Sequence, residues 1–565
     1  STQLQLRSLR IHPDEARRFQ KLASYLLYPS AYLRPPPDRL EENRQGQSGL
    51  WQFGISGDLP ILLVTIADVG DLGLVRQLLQ AQAYWKRHGL QVDLVVLNEE
   101  SSSYEQPLME RLEKLIQSSS IYTGEDQTGG VFLRAVDQLK ESDLILLQAA
   151  ARVSLVAARG PLAQQIGVPQ ETIKEPEILD TKRTDEEPSR HLPFLELPYF
   201  NSLGGFSTDG REYVIYLGPD TNTPAPWINV IANQQFGTIL SETGAGFTWF
   251  GNSQRNRLTG WSNDPVLDPH SEVIYIRDED SGQVWNPTAG PIRERNAYRV
   301  SHGAGYSRYE HNSHAIEQLL TIFVPTDGQG GEPVKISKLA LRNDSKKTRV
   351  LSITYYLEWT LGEQREVTQQ HVVTEYDSKR STILARNGYH PDYGERVAFA
   401  SISPGAESFT CDRTTFLGRN RGAKNPAALN RVELAGRVGA GLDPCGALQT
   451  RVEIPPGESV DVICIMGQGE SKDQVKNLVR KFREVLAVNQ ALDETRSFWD
   501  RILDAVQVET PEQSVNFLLN RWLLYQSLSC RIWGRSAIYQ SGGAIGFRDQ
   551  LQDVAAFLLT DPALA

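Results

Sequence analysis

The sequence predicts a multidomain α+β protein: a small α/β region, then a large antiparallel β-sandwich, then a helical C-terminal part. Three changes of texture along the chain predict it. Between Gly57 and Gly167 continuous apolar runs alternate with helical patterns, as in β-then-α units of a parallel layer. From about Leu192 to Gly467 short stretches alternate with period two between Gly, Asn, Asp and Pro, as sandwich strands do. After Gly469 the apolar spacing returns to about 3.6 residues, which reads as helices. The chain has 565 residues, 40% of them hydrophobic, enough for several cores and roughly three to four domains.

Residues 1–50 carry a helical pattern at Asp14–Leu27, apolar at Ala16, Phe19, Leu22, Ala23, Leu26 and Leu27, broken by Pro35-Pro36-Pro37; they read as an N-terminal helical arm. Residues 51–178 are the small α/β region. Strands are expected at Leu59–Ile66, Val92–Leu97 and Val131–Ala135, and helices at Leu74–His88, Tyr104–Ser118 and Leu144–Ile166. Its strand-to-helix turns carry no GxGxxG and no GKS/T, so the topology licenses no nucleotide site. The polar stretch Pro169–Pro188 is a linker. Residues 190–469 are the β-sandwich, with strands such as Glu212–Leu217, Val273–Arg277, Lys335–Arg342, Val350–Thr360 and Val460–Met466. Helices follow at Val475–Val488, Leu492–Leu503, Val515–Cys530 and Asp549–Leu559, the first two within a helical linker at 470–507.

Composition removes several classes of function. Acidic residues outnumber basic ones, 69 to 58, for a net charge of −11, and no Lys/Arg stripe is placed to neutralise phosphates, so no nucleic-acid partner is expected. No stretch approaches the roughly 20 apolar residues of a membrane span. Cys411, Cys445, Cys464 and Cys530 have no CxxC spacing and read as buried thiols. His302, His311 and His314 cluster in a strand-and-loop pattern without helical HxxxH spacing, so no metal is expected. The chain opens on Ser1 and stops at Ala565 just after an apolar helical run, so a piece of a longer protein is expected.

Two regions carry candidate chemistry. Phe247–Asp264 interleaves aromatics such as Trp249 and Trp261 with Asn, Arg257 and Asp264. A pyranose offers an apolar C–H face to an indole and a rim of hydroxyls to carboxylates, amides and guanidinium groups, so this is a sugar-binding texture. A decorated sandwich loop is the plainer reading. The second region is Tyr539–Asp553. At about 100° per residue from Arg548, Gln552 falls near 40°, Asp549 near 100° and Asp553 near 140°, while Leu551, Val554, Ala555, Phe557 and Leu558 fill the opposite arc. Asp549 and Asp553 are like charges at i,i+4, mildly destabilising without a purpose. Gly542, Gly543 and Gly546 permit close backbone approach to a ligand where the helix begins. Here the plainer reading is a solvated amphipathic face. Upstream, Phe517–Tyr525 is apolar nearly all round and is expected to be enclosed by other helices.

The run Asn520-Arg-Trp-Leu-Leu-Tyr-Gln-Ser-Leu-Ser-Cys-Arg-Ile-Trp-Gly-Arg-Ser-Ala-Ile-Tyr-Gln-Ser-Gly-Gly-Ala-Ile-Gly-Phe-Arg-Asp-Gln-Leu-Gln-Asp553 resembles the start of the catalytic barrel of glycoside hydrolase family 94. Gly46–Pro60, Leu74–Leu79 and Pro226–Val230 are similar to the members acting on β-1,2-glucans, the cyclic glucan synthases and the oligoglucan phosphorylases. The resemblance implies a β-sandwich, a helical linker and an (α/α)6 barrel whose first helices are residues 508–565, the barrel being truncated here. It implies inverting phosphorolysis or glucosyl transfer, with inorganic phosphate as co-substrate in a phosphorylase, no other cofactor, and a single protein carboxylic acid as the catalyst. By similarity Arg548, Asp549 and Asp553, with Gln552 as helper, grip the donor sugar, and the general acid follows Ala565. Trp249, Arg257 and Asp264 are expected on a sandwich loop reaching the barrel mouth, within one subunit or across a homodimer. The implied partners are a β-glucan or gluco-oligosaccharide and the rest of the barrel. The implied location is cytoplasmic, as the cytoplasmic part of an inner-membrane protein if the parent is a synthase. A non-catalytic glucan-binding or assembly module on the same sandwich is the alternative.

Overall fold

A computed structural model describes residues 9, 11–28, 30–100, 107–119, 127–167, 174–182, 189–542 and 546–565. The expected helix start at Tyr104, much of Pro169–Pro188 and Gly543 lie outside the described residues.

Helix α1 spans Pro13–Leu27, opened by a capping box between His12 and Glu15. It is no detached arm: Phe19, Leu22 and Leu26 are buried in one core with Val75 and Leu78 of α2 (Leu72–Arg87) and Leu62 and Val64 of β1 (Ile61–Ile66). The 1–50 expectation is corrected, because an amphipathic stripe of this strength has to find an apolar partner. The parallel sheet has the order β3-β2-β1-β4, with β2 at Asp93–Asn98, β3 at Val131–Ala135 and β4 at Val153–Val156. Helix α3 (Pro107–Gln117) lies on the α1 and α2 side, while α4 (Glu141–Ala150) buries Leu146 and Leu147 on the other face with Leu50 and Phe53. The single helix expected over Leu144–Ile166 is therefore wrong. It stops at Ala150, and Val153-Ser-Leu-Val156 pairs in register with β1. A mostly apolar stretch does not distinguish helix from buried strand, and the two β-branched valines favour the sheet.

The sandwich is two antiparallel sheets. One runs in the order Val284–Trp285, Glu272–Asp278, Arg349–Gly362, Arg257–Thr259, Gly246–Phe250, Phe236–Ser241, Ile228–Ala232, with Pro444–Ile454 and Ser408–Asp412 pairing alongside. The other has ten strands, among them Ser459–Gly469, Val334–Asn343, Ile316–Phe323, Tyr306–Ser313 and Tyr298–Gly303 at its centre. Their inward residues, such as Leu339, Ile353, Leu357, Trp359 and Val462, form the largest core. Charged pairs are buried in the sandwich too: the Lys335 ammonium meets the Glu272 carboxylate, Thr248 joining both, and Arg349 pairs with Asp278. Asn343, which opens an Asn-Asp-Ser sequence of N-glycosylation type, is fully buried, its amide donating to Lys347 O and Ile454 O. Cys411, Cys445 and Cys464 are buried free thiols and Cys530 is partly buried.

Helices α5 (Lys472–Lys481) and α6 (Val485–Leu503) cover the outer face of the ten-stranded sheet, where Val475, Leu478, Phe482 and Val488 meet Phe323, Ile336 and Ile465. Their break falls near Phe482–Glu484, earlier than the periodicity suggests. No helix among the described residues is long and apolar enough to cross a membrane.

Candidate functional site

The site is built on the segment C-terminal to α6. Residues 513–534 form one helical rod with wide π-type turns at Leu518–Trp522 and Ser527–Gly534. Its inner face carries Trp522, Tyr525 and Leu528, packed with Trp499 and Ile502 of α6. Trp522 Nε1 donates to Gly210 O (2.9 Å) and Tyr525 Oη donates to Val230 O (2.8 Å) while accepting from Gly305 N (3.1 Å). Its outer face is open, with Leu518, Leu519 and Leu523 exposed. The enclosure expected from the all-round apolar pattern is thus one-sided among the described residues, supplied by the sandwich and α6. Tyr525→Phe is expected to destabilise the chain by about 1–3 kcal/mol, because a buried carbonyl and a buried amide lose their partner. Urea unfolding of the purified variant checks this, and an unchanged midpoint would contradict it.

The rod ends at Arg535, in left-handed conformation with φ 47°. A short hairpin comes next, Ser536 opposite Ser541 and Ala537 opposite Gln540. Sandwich residues seat it: Ser253 Oγ donates to Gly534 O (2.8 Å), Trp261 Nε1 to Ile538 O (3.0 Å), and Arg257 Nη2 to Ser541 Oγ. Gly542, at φ +65°, has the Gln254 backbone where a Cβ would stand. This glycine admits a loop of the protein itself, a use different from the ligand approach expected. Helix α7 then spans Phe547–Ala555.

On α7 the four predicted polar residues do share a side, yet the side faces solvent: Arg548, Asp549 and Gln552 are exposed and Asp553 partly so. The Asp549 carboxylate folds back over Gly546 at the helix start, where an anion is favoured. Asp553 Oδ2 accepts from Arg531 Nε at 3.2 Å, so one of the two i,i+4 acids has a cationic partner. The resemblance implies a barrel mouth before them. A cleft of about 550 Å³ between the 327–328 turn and α6 is lined by Asp327, Gln490, Asp493 and Phe498, and by none of the four. Arg531 is missed by sequence reasoning, although its spacing from the rod's inward Leu528 could have placed it near the α7 face.

Of the sandwich trio, the expected positions of Trp249 and Arg257 are corrected. Trp249 is 2% exposed, in a strand, packed with Val230, Ile239 and Phe247 under the Trp533 and Cys530 side of the rod. Its indole has no free face for a sugar. Arg257 is also buried and spends its guanidinium on Ser253 O, Glu363 O and Ser541 Oγ. Asp264 lies on a loop, where Oδ1 accepts from Val266 N and Leu267 N and shapes the turn. Interleaved aromatic and polar residues look alike whether the aromatics face a ligand or an adjoining domain, and here they join sandwich to rod. Among the described residues no three His, Cys, Asp or Glu side chains come together as a metal cage.

The supersandwich-domain model of glycosyl hydrolase 94 matches residues 211–485, and the catalytic-domain model of the glycosyl hydrolase 94 superfamily matches residues 498–565. The chain belongs to glycoside hydrolase family 94. It is 36% identical to the cyclic β-(1,2)-glucan synthase NdvB of Rhizobium meliloti (strain 1021), over 100% of this chain and 20% of that protein. It is 27% identical to the N,N'-diacetylchitobiose phosphorylase of Vibrio proteolyticus and 28% identical to the 3-O-β-D-glucopyranosyl-β-D-glucuronide phosphorylase of Paenibacillus borealis, in each case over 64% of this chain and 45% of the relative. The chain thus spans a fifth of the synthase and under half of either phosphorylase. Helix α7 and the rod fall within the part matched to the family 94 catalytic domain.

Proposed function

We propose that this chain is part of an enzyme that transfers or phosphorolyses the glucosyl units of a β-1,2-linked glucan, with Arg548, Asp549, Gln552 and Asp553 gripping one glucose. One observation carries the substrate class: similarity to the β-(1,2)-glucan synthase extends over 100% of the chain, α/β unit included, whereas the disaccharide phosphorylases align with 64%. The polar face of α7 supports the grip. Two carboxylates accept from sugar hydroxyls, the guanidinium and the amide donate to them, and charge-assisted bonds of this kind are the stronger ones.

The exposed apolar residues around that face support a further part of the reading. Phe547 and Leu559 are each 79% exposed and Leu551 is 56% exposed. Burying such side chains is worth about 1.5–3 kcal/mol apiece. In the parent protein, further helices of the catalytic barrel cover them, and the polar face then lines the mouth those helices close. The parent's general acid, supplied by that later segment, protonates the glycosidic oxygen while inorganic phosphate attacks the anomeric carbon from the opposite face with inversion. The parent works in the cytoplasm, as the cytoplasmic portion of a membrane protein if it is a synthase.

Residues 1–565 alone are accordingly expected to release no glucose 1-phosphate from β-1,2-gluco-oligosaccharides in phosphate buffer, whereas the complete enzyme does so in a phosphate-dependent way. Turnover by the purified chain would overturn the placement of the acid. Product formed by the complete enzyme without phosphate and without an acceptor sugar would show a hydrolase.

A further inference from the structure

We propose that the α/β unit buttresses the candidate sugar site, fixing the hairpin before α7 through two loops of the sandwich. The role of the site rests on the reading above; the mechanical coupling does not. Three contacts in series make the buttress. First, the α/β unit, with the 43–45 segment held to it through Gln45 on Asp143, grips the 387–396 loop: Asn43 Nδ2 donates to Gly388 O at 3.1 Å, Gly388 lies so close to Asn43 O that a Cβ would stand 2.4 Å from it, and Arg44 pairs with Glu395 at 3.4 Å. Tyr389 packs against the α4 face core of that unit and stacks on His371 at 4.1 Å.

Second, the 387–396 loop holds the 250–257 loop. His390 Nδ1 accepts from Asp392 N and Tyr393 N, which leaves the proton on Nε2, and Nε2 donates to Arg255 O at 2.9 Å. Arg396 lies over the Phe250 ring at 4.4 Å, and Tyr393 meets the same ring edge-on at 6.3 Å. Third, the 250–257 loop seats the hairpin through Ser253 on Gly534 O, Arg257 on Ser541, and Gln254 packed directly on Gly542. No link in this series is a lone flexible side chain; each includes backbone held by a hydrogen bond or by close backbone packing. That stiffness suits a site whose helix is otherwise open to solvent, since a binding group gains from being held in place before the ligand arrives.

The test is hydrogen exchange of the whole chain without sugar, read at the Ser541 and Gly542 amides, the latter bonded to Arg535 O at 2.8 Å. His390→Ala and Asn43→Ala, at the middle and the far end of the series, are each expected to speed that exchange roughly five- to tenfold. His390→Gln, which keeps a donor for Arg255 O, is expected to restore protection. Ile353→Val, which trims the inter-sheet core, should leave the hairpin unchanged at a similar loss of melting temperature. Unaltered hairpin exchange in either alanine variant, or equal acceleration in Ile353→Val, would overturn the proposal. Because no ligand is added, failure of the sugar reading leaves this result untouched, and the reverse also holds.

Discussion

Asp549→Asn and Asp553→Asn in the complete enzyme are expected to lower kcat/KM on β-1,2-gluco-oligosaccharides roughly ten- to two-hundred-fold each, with no comparable loss of stability. The magnitude comes from removing one charge-assisted hydrogen bond to a sugar hydroxyl, about 1.5–3 kcal/mol, at about 1.4 kcal/mol per tenfold. Asn keeps the shape and loses the charge, so the loss reports on that bond. Stability is spared because Asp549 is exposed, while Asp553 pairs with an Arg531 whose side chain is 59% exposed. In residues 1–565 alone both variants should unfold within about 0.5 kcal/mol of the parent chain. Unchanged kinetics in both variants would leave the α7 face as a solvated helix surface.

Acidification is expected to cost this chain several kcal/mol of stability between pH 6.5 and pH 4. His302 and His311 are buried in the sandwich, and burial, the main cause, pulls each down to about 4. His302 is satisfied as a neutral ring, with Ser307 Oγ at one nitrogen and Trp227 O at the other; His311 stacks on Tyr298 at 3.8 Å and reaches Ala297 O. An unfolded chain protonates these rings near 6.5 while the folded chain resists until about 4. Below 6.5 the unfolded state therefore binds more protons, so stability is complete above that pH and is lost as pH falls toward 4, on the order of 3 kcal/mol per ring. Glu294, held low first by its hydrogen bond with His314, adds a loss of the same sign. Burial raises Glu242 and Asp412, and these work the other way. Urea midpoints at pH 7 and pH 4.5 measure the sum, and His302→Asn should flatten the dependence. Equal midpoints at the two pH values would show that the rings are solvated.

The β-sandwich was legible because its strands are short β-rich runs with partial period two between turn residues: Glu212–Leu217 appears where expected, and Val334–Asn343 and Arg349–Gly362 extend their expected cores by only one or two residues at each end. The strand Val153–Val156 was illegible because four residues at a sheet edge are too few to establish period two against the mostly apolar stretch around them. The α1 helix was visible as a helix, yet the partner for its apolar stripe lies some sixty residues on in α2, and periodicity carries no such address. At the site, sequence placed Arg548, Asp549, Gln552 and Asp553 on one side of a helix because four positions within two turns fix their directions. It misplaced Trp249 and Arg257 because their surroundings are set by Trp533, Gly534 and Ser541, nearly three hundred residues away.

The most direct measurement is a crystal structure of the complete enzyme with a β-1,2-linked glucose disaccharide bound. The account predicts one glucosyl ring with its hydroxyls within about 3.2 Å of Arg548, Asp549 and Asp553, and further helices packed over Phe547 and Leu551. A disaccharide bound elsewhere, with that face of α7 open to solvent, would contradict it.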